Sequence, residues 1–286
     1  MHGARVDLHT HTLVSDGTLS PTQLVQAAAH AKLAAIAVTD HDHVGGISEA
    51  RAAGARVGIE VITGIELSCE HDGRELHLLG YLVDEHDRAF LAKLETLRNR
   101  RDERNAKILQ RLGALGVRVS GADIAREAKG AGSVGRPHIA RAMMRAGLVA
   151  SISEAFDKWL GEGKPAYVAR EHLEPAEAIA LVHAAGGVAS VAHPGLLTKP
   201  VEAVRSLAAV GLDGVEVWHA KNPPELRDEL LALAKELDLV PTGGSDFHGE
   251  NKPDVHLGQE HVAYATVDAL KERARSMSGP SARRRA

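Results

Sequence analysis

One cysteine, Cys69, stands in 286 residues, so no disulfide forms within the chain and thiolate-rich metal sites are excluded with it. A lone thiol suits a reducing cytosol. Aromatic residues are nearly as scarce: three Phe, three Tyr and two Trp leave a core built mainly from Ala, Leu and Val. No apolar run approaches the ~20 residues of a membrane-spanning helix. The most apolar helical stretch, Ala27 to Val38, is interrupted by His30 and Lys32. A strand-like segment begins at Arg5, which leaves no room for a signal peptide. Excess positive charge is missing as well. The formal charge of −4 gives no global field toward duplex DNA or a membrane surface. A soluble, cytoplasmic protein is the expectation.

What the chain has in excess is histidine. Its seventeen outnumber all eight aromatic residues, and metal binding is the leading reason for such a surplus. Hydrophobic content of 44% with 25% charged residues is ordinary for a globular protein with a proper core.

Short aliphatic runs recur at Arg5–Leu8, Ala35–Thr39, Val61–Leu67, Leu76–Val83, Val188–Ala192, Gly214–Val217 and Leu239–Thr242. Their length and Val/Ile/Leu content predict buried parallel strands. Amphipathic helical patterns separate most of them, as at Ser20 to Lys32, Pro175 to Ala185 and Pro224 to Leu237. Such alternation implies a parallel sheet, and seven strands ending in polar residues imply a barrel with its site on that face. Residues 1–90 and 165–275 form the barrel on this reading. Residues 91–164 carry only helical periodicity and Gly-rich turns such as Gly130–Gly135, and read as a helical insertion. Its first helix is basic: Lys93 to Arg118 holds eight Lys/Arg against three Asp/Glu. Residues 276–286 read as a disordered tail.

The chemistry gathers at the predicted strand ends. His9-Thr10-His11 places two imidazoles on one side of a strand, followed by Ser15-Asp16-Gly17. Taken alone, that pair reads as a polar strand end. It is joined by Thr39-Asp40-His41-Asp42-His43 after the second strand, Glu66 ending the third, and His77 in the fourth. Ala192-His193-Pro194-Gly195 closes the fifth strand, and Gly244-Ser245-Asp246-Phe247-His248-Gly249 follows the seventh. Ligand-type residues at six strand ends exceed what chance supplies. Imidazole and carboxylate together suit Zn, Mn, Fe or Co.

In these motifs the chain resembles the polymerase-and-histidinol-phosphatase (PHP) family, whose fold is a distorted seven-stranded (β/α)7 barrel. The resemblance covers roughly residues 4–90 and 165–270. It is strongest to the branch of nucleoside 3',5'-bisphosphate phosphatases and 5'-to-3' exoribonucleases (ribonuclease AM-like), which also carries a helical insertion. It implies nine metal ligands: His9, His11, Asp16, His41, Glu66, His77, His193, Asp246 and His248. One ion would take His9, His11, Glu66 and Asp246, a second Glu66, His77 and His193, and a third Asp16, His41 and His248. Two or three divalent ions are implied, Mn²⁺ first, with Zn²⁺ or Fe²⁺ as alternatives. Three carboxylates among the nine ligands leave such a pocket positive and suited to an anion. The nucleophile implied is a metal-bridging hydroxide, positioned by Glu66 and Asp246.

Outside these nine, Asp40 is expected to orient a ligand, Cys69 to pack, and His219 either to line the pocket or to pack. His43 flanks a ligand. His2, His30, His71, His86, His172, His183, His256 and His261 read as surface or packing residues. Arg101 and Arg104 share a helix face, and Gly135-Arg136-Pro137-His138 reads as a rigid turn. By themselves the two arginines describe a solvated face with local ion pairs. The resemblance implies instead that Arg101, Arg104, Arg136 and His138 hold a nucleotide's 5'-phosphate, with a small nucleotide or short RNA as substrate. Histidinol-phosphate hydrolysis, C–N hydrolysis and a non-catalytic binding role are the competing readings.

Overall fold

The computed structural model describes residues 3–128, 134–169 and 173–278. Eight strands form one sheet in the order β7-β6-β5-β4-β3-β2-β1-β8. Six run parallel: β1 (Arg5–Asp7), β2 (Leu33–Val38), β3 (Glu60–His71), β5 (Val188–Val191), β6 (Gly214–Trp218) and β7 (Val240–Gly243). The sheet curls almost closed because β1 and β7 meet beyond their last ladder residues. Leu8 N–H donates to Gly243 O at 3.2 Å, His11 N–H to Phe247 O at 2.9 Å, and Asp246 N–H to His9 O at 2.9 Å. The backbone that closes the barrel is thus the backbone that carries His9, His11 and Asp246.

Seven parallel strands were expected, and the structure corrects this twice. β4 (Arg74–Tyr81) runs antiparallel to both β3 and β5. It returns from β3 through a two-residue turn, Asp72-Gly73, with φ of 51° and 74°, the positive-φ pair that suits tight hairpins. A hairpin needs no crossover helix, so the strand–helix alternation breaks here. In consequence Glu66 does not end its strand; β3 runs on to His71. The second correction is β8 (Val262–Ala263), a short eighth strand antiparallel to β1.

Helices cover the outer face. α1 (Pro21–His30) starts with a capping box between Ser20 and Gln23, two orphan N–H groups satisfied reciprocally. Prolines likewise open α7 (Pro175–Ala184), α8 (Pro200–Ala208) and α9 (Pro224–Glu236). Inside the barrel, Val6, Leu8, Ala35, Ala37 and Tyr81 pack with Val267 and Leu270 of α10 (Ala265–Ser278). The Tyr81 phenol donates to Leu8 O at 3.0 Å and fixes the backbone just before His9. At ~1.5–3 kcal/mol per buried aliphatic side chain, this core holds the rim rigid.

Between β4 and α7 lie α3 (Arg88–Ala114), α4 (Gly121–Glu127), α5 (Arg136–Arg145), α6 (Ile152–Ala155) and a π-helical turn at Phe156–Leu160. They enclose an apolar cluster of their own around Ile108, Leu112, Ile139, Met143 and Leu160. Residues 276–278, expected in the tail, belong to α10. The remaining tail residues 279–286, His2, His172 and residues 130–133 of the Gly-rich turn lie outside the described residues. No helix among the described residues is long and apolar enough to cross a membrane.

Candidate metal centre

The structure brings all nine expected ligand residues together, with Glu66 as the hub. Its Oε2 lies 3.4 Å from His9 Nε2, 3.1 Å from His11 Nε2 and 3.2 Å from His41 Nδ1. Its Oε1 lies 2.7 Å from His77 Nδ1 and 3.1 Å from His193 Nε2. Asp246 Oδ1 faces the same two nitrogens of His9 and His11, at 3.6 and 3.4 Å. Asp16 lies 3.3 Å from His248 Nε2 and 3.9 Å from His41 Nε2, and His11 joins this trio. His77 and His193 share Glu66 Oε1 but gather with different neighbours, His77 with His41 and His193 with His9.

Local structure aims each group. Asp40 accepts from Thr12 N–H at 2.8 Å, Thr12 Oγ1 at 2.7 Å and Ser15 Oγ at 2.6 Å, folding the loop that presents His11 and Asp16. Gly17 is required in that loop, because a Cβ would stand 2.5 Å from His11 O. His193 and Asp246 sit at φ of 29° and 57°, strain of the kind that surrounding contacts must hold in place. Glu216 supplies one such contact. Fully buried in β6, it accepts His193 N–H at 2.6 Å and faces His9 Nδ1 at 3.0 Å. A carboxylate there keeps the His9 proton on Nδ1 and turns the Nε2 lone pair toward the cluster. His248 is set similarly, its Nδ1 donating to Asp246 O at 2.8 Å.

Electrostatics test whether cations fit. His9 Nε2, His11 Nε2 and His41 Nδ1 are buried without a hydrogen-bond partner, although such groups are nearly always satisfied. They are interleaved with carboxylate oxygens, a nitrogen and oxygen set that suits borderline divalent ions. The residues therefore fit metal. Burial favours neutral carboxyls, yet His248 and His41 hold Asp16, and His41, His77 and His9 hold Glu66, well below the usual carboxylate range. Burial would likewise depress His11 and His77, but Asp246 and Glu66 raise His11 to about 9, and Glu66 raises His77 to about 10.

The pattern of the PHP domain matches residues 7–187. The chain belongs to the PHP family. It is 38% identical to a 5'-3' exoribonuclease of Haemophilus influenzae over 85% of this chain and 90% of that one. It is 33% identical to a 3',5'-nucleoside bisphosphate phosphatase of Chromobacterium violaceum over 88% of this chain and 90% of that one. A solved metal-dependent phosphoesterase from Bifidobacterium adolescentis superposes with a TM-score of 0.88 at 34% identity, covering 94% of this chain and 96% of the other.

Two joined cavities serve this PHP centre. One of about 300 Å³ contains the His/carboxylate cluster. A second of about 170 Å³ shares Asp16, His41, His77 and Pro137 with it and is walled by Arg101, Arg104, Asn105 and Arg136. Arg101 and Arg104 are only 7% and 8% exposed, not a solvated face. Buried guanidinium groups need partners: Arg101 pairs with Asp42, and Arg104 Nε donates to Val168 O at 2.8 Å. Arg136 opens the first turn of α5 and meets Glu75 Oε2 at 2.8 Å. His138 is not among the lining residues. Its Nδ1 accepts from Gly135 N–H at 3.0 Å, and burial with Arg141 and Arg101 nearby pushes it down to about 4.

Sequence reasoning left His219 open and passed over Glu216, Asp7 and Lys252. His219 is 2% exposed; its Nδ1 accepts from Lys221 N–H at 3.1 Å and its Nε2 stands 3.7 Å from Asp246 Oδ2. Asp7 ties β1 to two loops by accepting Ser245 N–H and Gly258 N–H, each at 2.8 Å. Lys252 Nζ lies 2.5 Å from Asp246 Oδ2. Cys69 is buried, in keeping with packing.

Proposed function

We propose that this metal-dependent phosphoesterase hydrolyses the 3'-phosphate of nucleoside 3',5'-bisphosphates and trims short 5'-phosphorylated RNA from its 5' end. One juxtaposition carries the reading: an arginine-walled cavity opens through Asp16, His41 and His77 into the His/carboxylate cluster. The printed activities of the Haemophilus and Chromobacterium relatives support it. On this reading His9, His11, Asp16, His41, Glu66, His77, His193, Asp246 and His248 hold two or three divalent ions, Mn²⁺ first among them. Such ions polarise phosphoryl oxygens and lower the pKa of water.

Arg101, Arg104 and Arg136 take the 5'-phosphate, since guanidinium forks bind phosphate oxygens bidentately. That phosphate is remote from the bond broken, so its binding energy positions the reacting centre. Water's oxygen adds to the 3'-phosphorus, the P–O3' bond breaks, and the 3'-oxygen leaves as a ribose hydroxyl. A 3'-phosphomonoester and a 3',5'-phosphodiester share this leaving oxygen, so one site handles both. His219 keeps its hydrogen on Nε2, because its Nδ1 accepts from Lys221 N–H, and presents a donor beside Asp246. The lining of the second cavity holds three guanidiniums against two carboxylates, Glu75 and the shared Asp16, an arginine excess that disfavours an ammonium-bearing substrate such as histidinol phosphate.

The test compares matched 5'-phosphate and 5'-hydroxyl substrates on wild type and Arg136→Ala. Loss of the 5'-phosphate, or of Arg136, lowers kcat/KM by roughly one to three powers of ten, the scale of one or two charge-assisted contacts at ~1.5–3 kcal/mol each. Equal turnover of both substrates by wild type ends the 5'-phosphate assignment.

A further inference from the structure

The walls that the metal cavity does not share with the arginine cavity include Leu196, Ile152, Asn251 and Lys252. Leu196, at 60%, is the most exposed large apolar side chain among the described residues. A single exposed leucine is ordinary by itself. This one is held in place beside the chemistry. It ends the 3-10 turn Pro194–Leu196 that follows His193, and its N–H donates to His193 O at 3.0 Å. Gly195 N–H donates to Asn222 Oδ1 at 2.8 Å, and a Cβ on Gly195 would stand 2.1 Å from Lys221 O. The turn is pinned to the loop after β6. Ile152 reaches the same cavity from α6, in the insertion. Lys252 is fixed as firmly, because Asn251 Nδ2 donates to Asp16 O at 2.5 Å and Glu250 N–H to Thr18 Oγ1 at 3.0 Å.

We infer that Leu196, Ile152 and Lys252 form a subsite for the nucleotide on the 3' side of the scissile phosphate, with the two apolar side chains against its base and Lys252 toward the strand's phosphates. The inference rests on the reading above, in which the arginine cavity takes the 5'-phosphate. A first nucleotide anchored there and presenting its 3'-phosphorus to the cluster must send the following strand past walls the two cavities do not share. A free bisphosphate has no group to place at these walls, whereas an RNA end does. Aliphatic side chains cover the face of any base without reading its edges, so the subsite tolerates sequence, as base-stacking platforms do.

The experiment measures kcat/KM of the metal-loaded enzyme on three substrates: the nucleoside bisphosphate, a 5'-phosphorylated dinucleotide, and the same dinucleotide with its second unit abasic. Wild type prefers the full dinucleotide over the abasic one by about five- to tenfold, the low end of what a stacked base contributes. Leu196→Ser removes a side chain already in solvent, keeps the backbone bonds of its turn, and erases that preference. Lys252→Gln makes the salt dependence on a trinucleotide shallower by about one phosphate contact. A wild type indifferent to the abasic change, or a preference that survives Leu196→Ser, overturns the subsite. If wild type hydrolyses the bisphosphate and not the dinucleotide, the subsite falls while the bisphosphatase reading stands. If it hydrolyses neither, both fall.

Discussion

Glu216→Gln asks whether one buried carboxylate sets the metal-binding form of His9. Glu216 has no exposed surface and two partners, His193 N–H at 2.6 Å and His9 Nδ1 at 3.0 Å. Burial opposes its charge, but His9, His219 and His193 outweigh burial and hold its pKa below the usual value. As a carboxylate it accepts both hydrogens. Glutamine has one acceptor and cannot. If its oxygen stays on His193, its NH₂ meets His9 Nδ1, and the His9 hydrogen must move to Nε2, the atom aimed at Glu66 and Asp246. If the amide flips, its NH₂ opposes His193 N–H and loosens the turn that holds His193 at φ 29°. Either arrangement spoils one nitrogen of the cluster at nearly constant side-chain volume. Partners of ligating histidines contribute about 10–100-fold in metal affinity, and two hydrogen bonds to a charged group contribute ~1.5–3 kcal/mol each. Calorimetric titration with Mn²⁺ and elemental analysis after dialysis should therefore show binding weaker by one to two powers of ten, with far-ultraviolet dichroism unchanged. Wild-type affinity and stoichiometry in Glu216→Gln would refute the tautomer argument.

Two further outcomes follow from the same geometry. Asp16→Asn lowers bound metal by about one equivalent, because Asp16 gathers with His11, His41 and His248 in a group that does not include Asp246; unchanged stoichiometry by elemental analysis contradicts that division. In chelated protein, His11 near 9 and His77 near 10 lie above the value of about 6.5 for an unfolded chain. The stability they add is complete below about pH 6.5 and is lost as pH rises through 9 to 10, so the thermal midpoint of chelated protein falls across that range; a flat or rising midpoint rejects protonated His11 and His77.

The six parallel strands were legible because each is an aliphatic run ending in polar residues, and their ends delivered most of the ligand residues. The hairpin was legible too, yet passed over. Asp72-Gly73 between two apolar runs is a strong two-residue turn signal, and heeding it would have turned β4 around and placed Glu66 within its strand. Glu216 and Asp7 had a weaker mark, an acid in an otherwise apolar strand, which strand alternation alone assigns to solvent. Their true partners lie 207 positions away in the case of Glu216 and His9, and 238 for Asp7 and Ser245. No local pattern encodes such pairs. The insertion shows the same limit. Helical periodicity puts Arg101 and Arg104 on one face, but only tertiary packing against Asp42 and Val168 decides that this face is buried.

Protons and cations compete for the same lone pairs in this centre. Asp16, Glu66, Glu216 and Asp246 are held ionised amid buried imidazoles, and an uncompensated cluster of buried negative charge is costly. Without metal, the hydrogens on His9, His11 and His77 supply the compensation, which is why those three rise. A ligating imidazole must first surrender that hydrogen. Metal loading is therefore an exchange of cations for protons, and it is favoured as pH rises toward 9. Glu216 escapes the competition at His9, because the hydrogen it fixes sits on Nδ1, away from the cluster. Burial opposes the charge on His9, yet Glu216, Glu66 and Asp246 outweigh it and raise His9 well above the usual value, so it gives up an Nε2 hydrogen to a cation just as His11 and His77 do, and keeps the one on Nδ1.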